Sequence, residues 1–254
     1  LISIKKTAST LTQHAAGAAM STPYRLADRD LRFLSRDDTR GIRLELEYLK
    51  AESLLRRYRV RHTVLVMGST RASSRDPYYA MAREFGRIVG RSRAAAVMTG
   101  GGPGIMEAAN RGALEAGGLS IGMNIDLPQP QRANRYTTQG LSLRFRYFAL
   151  RKLHFLLRAR AMVAFPGGFG TFDELFETLT LVQTRKIEAL PVVLVGEAWW
   201  RRAVDFGFLL AEGTIGRGDR RLYCFAEDAF GIWERIGRWY RNAGRSAFPK
   251  SKTS

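Results

Sequence analysis

Ten consecutive residues, Phe165-Pro166-Gly167-Gly168-Phe169-Gly170-Thr171-Phe172-Asp173-Glu174, bring together the parts that hold a phosphate. The apolar run at residues 161–165 has the length of a short buried strand. Three glycines follow within four positions, and from Thr171 a helical pattern sets Leu175, Leu179 and Val182 on one face. Glycines let backbone approach a ligand closely, and the unpaired N–H groups of a first helical turn attract an anion. Thr171 and Glu174 also have the T-x-x-E spacing of a capping box, which needs no ligand. The glycine cluster and Pro166 are not required for capping, and a Thr171 that caps the helix can still offer its hydroxyl to a phosphate.

Two more glycine turns follow apolar runs. Gly68-Ser69-Thr70-Arg71 closes a strand at residues 63–67, and Gly100-Gly101-Gly102-Pro103-Gly104 closes one at 94–98. Three such turns at one sheet edge would make a crevice, with Gly68, Ser69, Gly101 and Gly102 as candidate ligand contacts. The second turn lacks G-x-G-x-x-G spacing and a Walker lysine. A tight turn with Pro103 at a helix start accounts for it as well as a ligand loop does. Arg151 and Lys152 stand on the helix preceding the ten-residue stretch. Such pairs are commonly solvated surface, but this helix is otherwise apolar, with Phe148, Leu150, Leu153, Phe155 and Leu156. His154 reads as a packed histidine. No second His or Cys sits at metal spacing, so no metal is expected, and the three histidines assemble no Ser-His-Asp order.

Strands and helices alternate from residue 62 onward. Helices are expected at 78–89, 105–116, 142–158, from 171, at 198–210 and at 228–242. Strands are expected at 63–67, 94–98, 119–123, 161–165, 191–195 and 221–226. That alternation implies parallel pairing with right-handed crossovers, and the near-continuous apolar strands imply a sheet covered on both faces. The fold class is α/β, a doubly wound parallel sheet of Rossmann type with an N-terminal helical extension. Ligands bind such sheets beyond the strand carboxyl ends. Residues 24–60 are expected to form two helices, the second over 37–58, amphipathic through Ile42, Leu46, Leu49 and Leu54. Residues 1–23 are expected to be disordered, with Met20 resembling a start, and so is the tail at 244–254. The nucleotide-binding domain is placed at 61–243.

A chain of 254 residues can bury one substantial core. No apolar run is long enough to span a bilayer. Cys224 is the only cysteine, which excludes an internal disulfide and fits a reducing cytoplasm. The formal net charge of +18 points to polyanions. Its arginines are scattered, so compositional drift explains it equally well.

The motif Pro166-Gly167-Gly168-Phe169-Gly170-Thr171-Phe172-Asp173-Glu174 resembles the P-G-G-x-G-T-x-x-E signature of the LOG (LONELY GUY) phosphoribohydrolases, often labelled lysine decarboxylases. Gly100-Gly101-Gly102 with Gly104 and Met106 is similar to that family's other glycine signature, and Arg151-Lys152 stands where the family has its R-K pair. The resemblance covers residues 62–240, and the helical lead-in resembles longer bacterial members. No lysine here is marked for a pyridoxal phosphate Schiff base, and no cofactor is expected. Pro130 replaces a carboxylate common in the family's loop after the third strand, which puts base preference in doubt.

The resemblance implies hydrolysis of a purine nucleoside 5′-monophosphate, AMP or a cytokinin riboside monophosphate, to free base and ribose 5-phosphate. It also implies a homodimer or higher homo-oligomer with its site near the interface. In that scheme Glu174 stabilises the cationic ribose and activates water, and Arg151 orients Glu174 or touches substrate. The backbone of Gly168, Gly170 and Thr171 holds the 5′-phosphate, with Gly167 and Phe169 as further substrate-binding residues. Lys152 adds positive potential, Thr180 matches a family ligand position, and Met106 and Asp173 are further substrate-binding candidates. Two alternatives stand beside it: a non-catalytic nucleotide- or molybdenum-cofactor-binding protein, and a nucleic-acid-binding protein of the same fold.

Overall fold

The computed structural model describes residues 22–128 and 132–249. Pro130, most of the N-terminal segment and the last five residues therefore lie outside the described residues. The chain divides into two compact units, residues 1–49 and 50–254.

In the first unit, Asp30 caps the short helix α1 (Leu31–Leu34), its carboxylate accepting from Arg32 N at 3.0 Å and Phe33 N at 3.1 Å. Arg43 donates to the Leu34 carbonyl at 2.6 Å, closing this turn onto helix α2 (Arg40–Arg57). The second predicted helix thus begins at residue 40, after a 3-10 turn at Asp37–Thr39. Its expected apolar stripe is only partly covered. Ile42, Leu46 and Leu49 are about half exposed, whereas Leu54 packs on the core of the second unit.

Among its described residues the second unit holds seven parallel strands: β1 (Thr63–Met67), β2 (Ala96–Thr99), β3 (Ser120–Ile125), β4 (Ser142–Phe145), β5 (Ala159–Ala164), β6 (Val192–Val195) and β7 (Tyr223–Ala226). Their order in the sheet is β4-β3-β2-β1-β5-β6-β7. The chain steps outward from β1 to β4, returns across the sheet, and continues from β5 beside β1. The strand order therefore reverses between β1 and β5, where doubly wound folds open a crevice. Two bonds tie the strand exits there: Phe165 N donates to the Met67 carbonyl and Ser69 N to the Pro166 carbonyl, both at 2.9 Å.

Side chains alternate across the sheet, as strand geometry requires. Leu65, Met67, Met98, Met162 and Leu194 face one layer, formed by Leu55 of α2, Phe155 of α5 (Phe148–Leu157), Leu175 of α6 (Phe169–Gln183) and Trp200 of α7 (Glu197–Ala203). Val64, Val66, Val97, Val163 and Val193 face the other. That layer contains Phe85 of α3 (Pro77–Ser92), Ala109 of α4 (Ile105–Glu115) and Ile232 of α9 (Ala229–Asn242). No helix among the described residues is long and apolar enough to cross a membrane.

Three expectations need correction. Residues 142–158 are not one helix: Ser142–Phe145 forms β4, with Leu143 and Phe145 buried and Ser142 and Arg144 exposed. That period of two is a strand's, hidden in sequence because the segment is short and runs into an apolar helix. Residues 198–210 break at Asp205, whose carboxylate accepts from Phe208 N at 2.8 Å and starts a separate helix, α8 (Phe206–Ala211). The tail is docked as far as Pro249. Arg160 donates to the carbonyls of Ala247 and Ser246, and Phe248 stacks on Trp233 at 5.5 Å.

Candidate functional site

The ten-residue stretch leaves β5, turns through Pro166–Gly168 and enters α6. Helix α6 starts at Phe169, two residues before the expected Thr171, and its N-cap is Gly168 with no side-chain cap. Thr171 is therefore inside the first turn, so the capping box does not form. Its N–H donates to the Gly168 carbonyl at 2.9 Å and is not free for a phosphate. The N–H groups of Gly168, Phe169 and Gly170 take no partner among the described residues. They are the amides this helix start presents.

The glycines serve different ends. A Cβ on Gly167 would lie 2.8 Å from Thr171 Cβ and 3.1 Å from the Gly68 carbonyl carbon, so close packing excludes one. A Cβ on Gly168 or Gly170 would meet nothing, and neither has positive φ. Nothing in the chain's own packing explains a bare backbone at these two positions.

A cavity of about 620 Å³ opens here, lined by Gly68, Ser69, Thr70 and Arg71 after β1 and by Gly100 after β2. Met106, Phe148, Arg151, Gly168, Phe169, Gly170, Thr171 and Phe172 complete most of the wall, with Ile125 and Leu127. Eight predicted site residues thus share one wall: Gly68, Ser69, Met106, Arg151, Gly168, Phe169, Gly170 and Thr171. Others do not reach it. Lys152 pairs with Asp173 and Glu177, each at 3.3 Å, and these bonds outweigh its desolvation and raise its pKa. Thr180 and Asp173 line a separate groove along α6. Gly167 lies beneath the turn.

Glu174 stands directly behind the wall. It is 3% exposed, and its Oε1 accepts from Arg151 Nη2 at 3.3 Å. Burial pushes its carboxyl up to about 7, against the opposing pull of Arg151. Arg151, 8% exposed, is lowered from its usual value by the same burial, partly offset by Glu174. Its guanidinium lies 4.8 Å from the Phe148 ring centroid and 5.3 Å from that of Phe155. Its Nε, itself buried, has no hydrogen-bond partner among the described residues. A buried cation that lines a cavity and is held by one long ion pair has hydrogen-bonding capacity left for an anion or a sugar oxygen.

Gly101 and Gly102, expected as ligand contacts, do not line the cavity, and their backbone groups bond within the scaffold. Gly101 has φ +72°, and a Cβ there would sit 2.6 Å from the Asn124 amide. Its N–H donates to Thr99 Oγ1 at 2.9 Å, its carbonyl accepts from Asn134 N at 2.9 Å, and the Gly102 carbonyl accepts from Asn134 Nδ2 at 3.1 Å. Asn110 joins Thr99 at 2.6 Å and Ser120 at 2.8 Å. This buried network anchors the loop after β3 to the second glycine turn, and the sequence reasoning missed it. The available signal was Asn110, an amide among the small apolar residues of α4. Thr70, Arg71 and Phe148 were also missed as wall residues, although Phe148 lies one turn before Arg151 on α5.

The family model described as "Possible lysine decarboxylase" matches residues 106–236. No curated protein matches the chain. Among solved structures, TM1055 superposes with a TM-score of 0.52 at 22% identity, covering 70% of this chain and 99% of that one. The molybdenum cofactor carrier protein MCP of Chlamydomonas reinhardtii is similar at a TM-score of 0.50 and 26% identity, over 70% and 97% of the two chains. A second structure of that carrier gives 0.51 and 25%, over 72% and 99%. With its glycine turns meeting at the strand reversal and its Arg151–Glu174 pair behind them, the chain belongs to the possible lysine decarboxylase family, the group that its LOG-type motif resembles.

Proposed function

We propose that the protein hydrolyses the N-glycosidic bond of a purine nucleoside 5′-monophosphate, releasing the base and ribose 5-phosphate. The observation that carries this is the buried Arg151–Glu174 pair, set immediately behind a cavity rimmed by the free amides of α6. Those amides would take the phosphate. Cleaving the glycosidic bond builds positive charge on the ribose, and a carboxylate beside it lowers that barrier and can accept a proton from water. Glu174 is the carboxylate available, and Arg151 is the part of the pair that the substrate meets first. In this scheme substrate oxygens take over part of Arg151's hydrogen bonding, and the freed carboxylate turns toward the anomeric carbon. A second copy of the chain completing the pocket belongs to the same proposal.

A non-catalytic carrier is the second reading. It is favoured by the 26% identity to a molybdenum cofactor carrier and by Glu174's absence from the cavity wall. Incubation with AMP and chromatographic detection of adenine separates the two. Release of adenine, lost in Glu174→Gln, supports hydrolysis. Unchanged AMP after prolonged incubation with a folded protein overturns it.

A further inference from the structure

We propose that Phe169 and Phe148 form an aromatic clamp at the cavity mouth that takes the flat ring of the ligand's base. The proposal rests on the nucleotide reading of the cavity given above. Phe169 is 95% exposed, although it begins a helix whose remaining aromatic residues pack together. It stands between Gly168 and Gly170, two positions with no neighbouring atoms where a Cβ would be. Folding therefore gains almost nothing from this ring, yet the residue lines the cavity where it meets the groove along α6. Phe148, 48% exposed, contributes a second ring to the same wall and is held by the Arg151 guanidinium lying over it.

The wall divides by chemistry. Ser69, Thr70, Arg71 and Thr171 accompany the glycine turns and suit a phosphate and its sugar. Met67, Met106, Ile125, Leu127 and three phenylalanines, Phe148, Phe169 and Phe172, supply the apolar remainder. A base in this cavity would find aromatic and apolar faces to stack on. The volume of about 620 Å³ lies within the usual range for small-molecule pockets, so one mononucleotide is a fitting occupant.

The test is calorimetric titration of the full-length chain in a Glu174→Gln background, with AMP and ribose 5-phosphate as separate ligands. Base stacking on an aromatic side chain is worth roughly 5- to 150-fold in affinity. Phe169→Ala is accordingly expected to weaken AMP by about tenfold or more, with ribose 5-phosphate unchanged within about twofold. Phe169→Tyr is expected to restore AMP binding. Equal weakening of both ligands, or none, overturns the clamp. So does a change in molar mass by light scattering on Phe169→Ala, which would assign the ring to contact with a second copy. Adenine release by the wild type with an unchanged KM in Phe169→Ala sinks the clamp alone. AMP binding without adenine release, still dependent on Phe169, sinks hydrolysis alone.

Discussion

At the scale of single residues, Glu174 sets a pH signature. Its folded pKa of about 7 lies above the ordinary carboxylate value of 4.5, because burial disfavours the charge more than Arg151 restores it. The folded state therefore holds a proton between those values that the unfolded state has released. Stability from this group is complete below about pH 4.5 and falls as pH rises through 7. Activity that needs the carboxylate runs the other way. Adenine release is expected to climb with pH along a limb centred near 7 and to vanish in Glu174→Gln. Denaturation at pH 5 and pH 8 should show wild type losing stability relative to Glu174→Gln by up to about 3 kcal/mol. A wild-type-to-variant difference that does not change with pH removes the shifted carboxyl from the account.

The glycines of the same turn give a paired prediction. Gly168→Ala points its methyl into open space at an ordinary φ, so the fold should lose less than about 0.5 kcal/mol. Anion binding at the adjacent amides should suffer at least tenfold. Gly167→Ala drives a methyl against Thr171 and the Gly68 backbone and should destabilise by about 1–3 kcal/mol. Thermal midpoints and AMP affinity measured on both variants check the distinction. A Gly168→Ala protein that binds AMP normally shows that the phosphate is held elsewhere.

At the scale of elements, the crevice depends on how closely α3 and α4 pack behind β1 and β2. A Cβ on Gly112 would lie 2.8 Å from the Arg83 carbonyl carbon, and one on Gly86 would lie 2.9 Å from that of Ala109. Both are backbone contacts with no flexible side chain to yield. Gly112→Ala should destabilise by about 3 kcal/mol or more, read as a shift in the denaturation midpoint. Because α4 carries Met106 and Asn110 to the cavity and its scaffold, AMP affinity should fall with it.

The same elements show what sequence alone makes legible. The glycine turns were readable because a turn after a strand is local chemistry, written in adjacent residues. Arg151 and Glu174 were readable as partners through their motifs. The depth of Glu174 was not, since it depends on the rotation of α6 against α5. Thr171 as a cap was misjudged because Gly168, with no side-chain oxygen, occupies the N-cap instead. Strand β4 escaped because two buried side chains in four residues resemble one turn of the helix that follows.

At the scale of the whole molecule, the charge asks for an explanation. There are 41 Lys and Arg against 23 Asp and Glu. Many acids are spent in surface pairs, such as Arg83–Glu115, Arg201–Glu197 and Arg238–Glu234, leaving excess arginine across the surface. Arg59, Arg93 and Arg185 even occupy left-handed backbone positions, where a glycine would serve the turn better. Arginine placed where local geometry does not favour it, on several separate elements, fits compositional drift more closely than a surface shaped for one partner. A dispersed excess attracts any polyanion by counterion release, so its binding is steeply salt-dependent and indifferent to sequence. A fluorescent DNA duplex should therefore bind at about 50 mM salt and be released by about 200 mM, as read by anisotropy, with unrelated sequences behaving alike. Adenine release should proceed at the higher salt with DNA present at the same rate as without it. Binding that survives 200 mM salt, or that separates one sequence from another, would assign the positive surface to a nucleic acid.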